Sequence, residues 1–186
     1  MNKTEIILES VKIANEKGLH SLTVAALAKS FQVKPPSLYK HIKNLQEVHD
    51  ELGILCMQEL IGLIQAEGFA RSGDDALRQF CISSRQYALF NPGLYRAMQQ
   101  THVHKSARYQ KTAEALMEML AKLVSYYDIK KQNHIHTIRH LRCLLHGFID
   151  LELQGGFGMP DEIDLSFELA IENFISSLKH KKRSTI

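Results

Sequence analysis

Between Lys17 and Gln46 the chain carries Lys17, Lys29, Lys34, Lys40 and Lys43 and not one Asp or Glu. Cations gathered without acids attract polyanions, so the first chemistry to weigh is contact with a phosphate backbone. A merely solvated lysine-rich face would show the same charges, so local geometry has to separate the two. Residues 24–30 read as a short helix capped by Thr23, and Phe31-Gln32-Val33 as a tight turn. Pro35 and Pro36 fit only the first turn of a helix, so a second short helix is expected from 35 to about 41. A short helix, a tight turn and a second helix are the minimum device for seating a helix in a DNA major groove. Ala28 is small where the two helices approach, and Val33 and Leu38 are placed to pin the second to the first. Free N–H groups in the first turn of that helix are expected to face solvent or phosphate.

Other chemistries find less support. His136, His140 and Cys143 fall at i, i+4 and i+7 on one helix face, and His102 and His104 flank Val103 in a connector. Helical pairs at i, i+4 bind zinc in some sites, but no carboxylate stands in register here, and no metal site is expected. Gly155-Gly156-Phe157-Gly158 lacks the preceding strand that a phosphate loop needs. No GxSxG occurs, and the Ser, His and acidic residues show no catalytic spacing, so neither an enzyme nor a cofactor is expected. Three cysteines, Cys56, Cys81 and Cys143, stand too far apart for a CxxC metal site and make no disulfide scaffold. The basic end from Lys179 through His180, Lys181, Lys182 and Arg183 reads as a solvated, frayed terminus.

The elements that must position these residues are helical. With 186 residues, 45% hydrophobic and 23% charged, the chain suits one domain or two small ones and is not wholly disordered. Its longest apolar stretch, residues 141–149, is broken by Arg142, His146 and Gly147, far short of a membrane span of about 20 residues. No membrane association and a cytoplasmic location are expected. Asn2 and Glu5 form a capping box for a first helix with Ile7, Val11 and Ala14 on one stripe, stopped at Gly18. Ala25, Leu27 and Ala28 should point inward from the second helix. A helix over 45–66, a connector over 68–73 and a helix capped by Asp74 and ended by Asn91-Pro92-Gly93 follow. Beyond them come helices at 94–99, 106–126, 131–154 and 161–179, a loop at 101–105 and a break at 155–160. No strand-like alternation appears, and the expected fold class is all-α.

The run Pro36-Ser37-Leu38-Tyr39-Lys40-His41-Ile42-Lys43-Asn44 resembles the recognition-helix signature of the TetR (tetracycline repressor) family of bacterial transcriptional regulators. Leu22-Thr23-Val24-Ala25-Ala26-Leu27-Ala28 and the stop Glu16-Lys17-Gly18 match the same pattern, and the likeness extends over about residues 4–55. Asn91-Pro92-Gly93-Leu94-Tyr95, and His146-Gly147 with Leu151-Glu152-Leu153, are similar to the WHG subtype of C-terminal domain. That subtype commonly has Trp where this chain has Leu145. Two positions depart from the family: Gln32 stands where the turn often has Gly, and Lys34 where Ser or Thr often caps the recognition helix. Each departure costs about 1 kcal/mol.

The resemblance implies a helix-turn-helix DNA-binding domain over 1–47 and a helical effector-binding and dimerisation domain over 48–186. It implies a repressor of a palindromic operator on double-stranded DNA, released by a small-molecule effector. Tyr39, His41 and Lys43 would then grip phosphates, and Pro35, Pro36, Ser37 and Lys40 would face base edges. Thr23 is a further phosphate contact, and Lys34 adds a cation at the same face. Tyr hydroxyls and Lys ammoniums donate to phosphate oxygens, and the apolar edge of Pro meets a thymine methyl. For Tyr39 the alternative is half-buried packing.

One recognition helix reads too few base pairs, so the implied state is a homodimer on an inverted repeat. Ile163, Phe167, Ala170, Phe174 and Leu178 make one apolar stripe, and Thr137, Leu141, Leu144, Phe148 and Leu151 make another. Both are candidates for a four-helix interface, with packing inside one chain as the alternative. Tyr87, Tyr95, Met98, Met117, Leu120 and Phe148 are the candidate pocket lining, with plain core as the alternative. Asn91-Pro92-Gly93 and the glycine break at 155–158 are candidate hinges. An all-α protein–protein adaptor without sequence-specific DNA binding is the rival from another class.

Overall fold

The computed structural model describes residues 1–100 and 106–180. The 101–105 connector with His102 and His104, and the tail Lys181-Lys182-Arg183, lie outside the described residues. Helices α1 (Lys3–Lys17), α2 (Val24–Ser30), α3 (Pro35–Leu38) and α4 (Leu45–Ala70) are followed by α5 (Gly73–Phe90) and α6 (Pro92–Gln99). Then come α7 (Ala107–Val124), α8 (His134–Leu153) and α9 (Ile163–His180). No strand occurs among the described residues, and none of their helices is long and apolar enough to cross a membrane.

Local chemistry accounts for most boundaries. Asn2 accepts a hydrogen bond from the Glu5 N–H, and the Glu5 carboxylate accepts from the Asn2 N–H, closing the capping box. α1 ends at Gly18, whose φ of 82° resists a side chain. Thr23 caps α2 through the Ala26 N–H. α4 runs straight through Gly68 to Ala70, leaving only Arg71 and Ser72 as connector. Gly73, the first residue of α5, is left-handed, with a φ of 61°.

The chain divides into two compact units. Met1–Glu59 with Phe90–Leu116 form the first, and Leu60–Leu89 with Met117–Ile186 the second. In the first, α1 buries Ile6, Ile7, Ser10, Ile13 and Ala14, while Val11 is half-buried. Leu27 and Ala28 face inward as expected, but Ala25 is exposed, because a seven-residue helix turns only two positions per turn toward one neighbour. α6 lies so close to α1 that a Cβ on Gly93 would fall 2.5 Å from the Ala14 carbonyl oxygen. Asn15 accepts from the N–H groups of Gly93 (2.9 Å) and Leu94 (3.4 Å), and its amide donates to Asn91 (3.2 Å). The Asn91-Pro92-Gly93 segment is therefore clamped to α1 within the first unit.

In the second unit, α8 contributes Leu141, Leu145 and Ile149 to the core, and α9 contributes Phe167, Ile171, Phe174 and Leu178. The Arg85 guanidinium sits over the Phe148 and Phe167 rings, 5.7 and 4.9 Å from their centroids. It donates to both carboxylate oxygens of Glu152 at 2.6 Å. Lys179 pairs with Asp74, which also accepts from the Tyr127 hydroxyl at 3.0 Å. That pairing removes Lys179 from the expected solvated tail.

Candidate nucleic-acid interface

The turn after α2 is built for one purpose: to aim α3. The Val33 N–H donates to Ala28 and the Gln32 N–H to Lys29, the paired bonds of a Schellman stop. That stop forces a left-handed residue at Gln32, whose φ is 53°. A glutamine there costs about 1 kcal/mol relative to glycine, as the sequence foretold. Lys34 then leads into α3 with extended backbone and no side-chain cap.

α3 is shorter than expected, four residues rather than seven. Tyr39, Lys40 and His41 continue it as a turn, with the N–H groups of His41 and Ile42 both donating to the Leu38 carbonyl. Pro35 and Pro36 have no N–H, and the Ser37 N–H donates to Lys34 at 2.9 Å. The first turn is therefore poor in donors, which corrects the expectation that its N–H groups face phosphate. Contact must come from side chains.

Those side chains are well presented. Leu38 and Ile42 are buried, 0% and 2% exposed, and anchor the segment. Thr23, Lys34, Pro35, Pro36, Tyr39, Lys40 and Lys43 are exposed, and Ser37 and His41 half-buried. Tyr39, at 52% exposure, is not the packing residue of the alternative. Leu38 takes the inward position and leaves the Tyr39 ring outside.

The base of this surface is tied down by charge. Asn44 caps α4 by accepting from the Glu47 N–H, and the Glu47 carboxylate accepts from the Lys43 N–H at 2.6 Å. Lys3 bridges Glu47 (2.7 Å) and Glu51 (3.0 Å), fastening α1 to α4. The Lys3 ammonium first, then the Lys43 N–H, hold the Glu47 carboxyl below its ordinary value. Arg108 grips both oxygens of Glu51, at 2.7 and 2.6 Å, and the Ser106 N–H donates to buried Asp50. Sequence reasoning did not find this network, because its members lie 44 to 57 positions apart.

The other predicted residues are placed unevenly. Tyr95 and Met98 belong to the first unit. Tyr95 is buried, and Met98 packs on Ile54, Met57 and Tyr109 while its carbonyl accepts from the Tyr109 hydroxyl. Both pack within the first unit in this structure. Leu120 is buried, and Tyr87, Met117 and Phe148 are half-buried, in the second unit.

Of the ten interface candidates, Thr137, Leu141, Phe167, Phe174 and Leu178 are at most 4% exposed within the single chain. They have no surface left to offer a partner, so the alternative of packing inside the chain applies to them. Leu144, Phe148 and Ala170 are half-buried, and Leu151 is exposed. Sequence reasoning did not single out Leu165 and Leu169, which are 53% and 55% exposed on α9. Their i, i+4 spacing was the available signal, since a helix apolar on two sides needs two partners. Among the described residues no cluster of His, Cys, Asp or Glu is arranged to hold a metal ion.

Comparison with known proteins converges on one kind of protein. Residues 77–174 match the family described as "Tetracyclin repressor-like, C-terminal domain". The chain is 32% identical over 178 residues to an uncharacterized HTH-type transcriptional regulator, YobS of Bacillus subtilis (strain 168), covering 93% of this chain and 90% of that one. A second uncharacterized HTH-type transcriptional regulator, from Mycobacterium tuberculosis, is 26% identical over 165 residues, 88% of this chain and 74% of its own length. Among solved structures, a TetR variant from Acinetobacter baumannii AYE in complex with minocycline superposes with a TM-score of 0.71 at 20% identity. That match covers 100% of this chain and 99% of the other.

Proposed function

Since the chain belongs to the TetR family of helix-turn-helix transcriptional regulators, we propose that it is a homodimeric repressor. In this reading it is cytoplasmic and not an enzyme. It reads an inverted repeat in double-stranded DNA and lets go when a small molecule binds. The observation that carries the reading is the α2–α3 surface. Seven exposed side chains, three of them lysines, stand on a segment anchored by Leu38 and Ile42, with no acid between Lys17 and Glu47. Tyr39, His41 and Lys43 take phosphates, with Thr23 and Lys34 beside them. Pro35, Pro36, Ser37 and Lys40 face base edges.

Two such heads reach successive half-sites if the two-fold axis sets them about 34–36 Å apart or a multiple of that. Leu151, Leu165 and Leu169, half or more exposed, with half-buried Leu144, Phe148 and Ala170 beside them, support a second copy of the chain as the cover for α8 and α9. A patch of this kind is what a closed two-fold interface buries. The minocycline complex of the A. baumannii protein supports a small-molecule effector here. Binding would shift the population between dimer shapes that differ in the separation of the heads.

The test is duplex affinity against salt. If each protomer neutralises about four phosphates, log affinity falls against log salt with a slope near −7. Tyr39→Ala and Lys43→Ala should weaken all duplexes alike, whereas Lys40→Ala should narrow the gap between operator and random sequence. A flat salt response would remove the reading.

A further inference from the structure

One face of α8 carries metal-ligating side chains that the DNA-reading account leaves unused. His136, His140, Cys143, Gly147 and Leu151 follow one another at helical intervals and form a single stripe along the helix. All five are exposed. Cys56 and Cys81 are buried, which leaves Cys143 as the thiol that a dissolved ion meets.

The stripe runs into Leu151, one of the exposed leucines that the dimer reading gives to a second copy of the chain. Residues on the same stripe must then face that copy too. A Cβ at Gly147 would meet nothing within 4 Å. Bare backbone there lets a second helix cross at about 8 Å between axes, the low end of the usual range.

Cys143 and His140 stand one and two turns before that crossing. At i, i+3 their side chains are neighbours and can bite a single ion. The His140 ring is already steadied, because it meets the Phe174 ring edge to face with centroids 5.0 Å apart. His136 is about 10.5 Å along the axis from Cys143, too far to share the same ion. One chain thus supplies two donors, and the described residues contain no cluster of three ligands. A two-fold axis at the crossing doubles the donors to two imidazoles and two thiolates, the tetrahedral set that suits zinc. Two thiolates also cancel the charge of a divalent ion, so the exposed Arg139 and Arg142 of the same helix do not repel the filled site.

We propose that two copies of this chain share one zinc ion across their two-fold axis, held by His140 and Cys143 of each copy. The site rests on the dimer reading above, since either chain alone leaves it half built.

The test uses the full chain, stripped with a chelator and kept in a phosphine reductant so that no disulfide forms. Titration with zinc against a chromophoric chelator should give one tight ion per two chains. Cobalt in its place should show thiolate-to-metal charge transfer and the intense visible absorption of a tetrahedral site. Cys143→Ser changes an exposed residue, so its metal-free melting temperature should hold while zinc affinity falls at least about a hundredfold. His140→Gln should lose a similar factor, and His136→Gln should leave affinity, stoichiometry and the cobalt spectrum as they are. The proposal is overturned by one ion per chain or none, by a cobalt spectrum without thiolate charge transfer, or by Cys143→Ser that binds zinc as the parent does. Sedimentation velocity separates this failure from that of the dimer. A dimer that takes up no zinc loses the site and keeps the interface, whereas a chain that stays monomeric with and without zinc loses both.

Discussion

Replacing Gly93 by alanine tests how α6 is fastened to α1. The added Cβ would meet backbone rather than a flexible side chain: the Ala14 carbonyl carbon, its oxygen at 2.5 Å and its Cβ at 2.6 Å. Ordinary contact begins at 3.4 Å, so the helices must part by roughly 1 Å to clear the nearest of these atoms, an overpacking that costs about 1–3 kcal/mol. The same movement stretches the 2.9 Å bond from the Gly93 N–H to Asn15 past hydrogen-bonding range, a further loss of about 1 kcal/mol. Alanine's better helix propensity offsets less than about 1 kcal/mol of this. The net loss is about 2–3 kcal/mol, or roughly 5–10 °C in melting temperature for a chain of this size. Gly62→Ala is the control, because it is the same chemical change inside a helix where nothing lies within 4 Å of the new Cβ. It should stabilise by about 0.5–1 kcal/mol. Melting followed by circular dichroism at 222 nm reads both. A Gly93→Ala variant that melts at or above the parent, while Gly62→Ala behaves as stated, would refute the close approach of α1 and α6.

Gln32→Gly relieves a left-handed glutamine and should raise stability by about 0.5–1 kcal/mol in denaturant unfolding, with duplex binding retained. Lys3 and the Lys43 N–H depress the Glu47 pKa, so their contribution is present above the ordinary carboxylate value of 4.5 and lost as pH falls through the folded value. Because both Lys3 and Glu47 are partly exposed, Glu47→Gln should cost at most about 1 kcal/mol at neutral pH and flatten the acid limb of the stability curve. An acid limb as steep as the parent's would place the titrating group elsewhere. Leu169→Glu puts a charge on the outer face of α9. Sedimentation velocity should then show a 21.2 kDa protomer where the parent sediments at twice that mass, and an unchanged dimer would move the interface.

How much was legible in the sequence follows the range of the forces involved. The Asn2–Glu5 box, the Thr23 cap and the left-handed strain at Gln32 depend on residues within a few positions of each other, and each appears where the sequence placed it. The exposure of Tyr39 followed from Leu38 occupying the inward position. By contrast, Asn15 reaches Gly93 across 78 positions, and no pattern in either segment announces the bond. Gly68 looked like a helix stop because composition does not reveal which glycine turns left-handed; α4 runs through it to Ala70, and the left-handed glycine is Gly73 at the start of α5. Apolar stripes on α8 and α9 showed which side is buried but not by whom. Phe167 and Phe174 went to the chain's own core, and Leu165 and Leu169 were left facing out.

The most direct measurement is selection of bound duplexes from a random double-stranded pool by the purified full chain at modest ionic strength. An enriched inverted repeat, with half-sites about one helical turn or a multiple of it apart and lost on Tyr39→Ala, is the predicted result. Recovery of no shared sequence, or of a single unrepeated half-site, would contradict a two-fold reader built on α3.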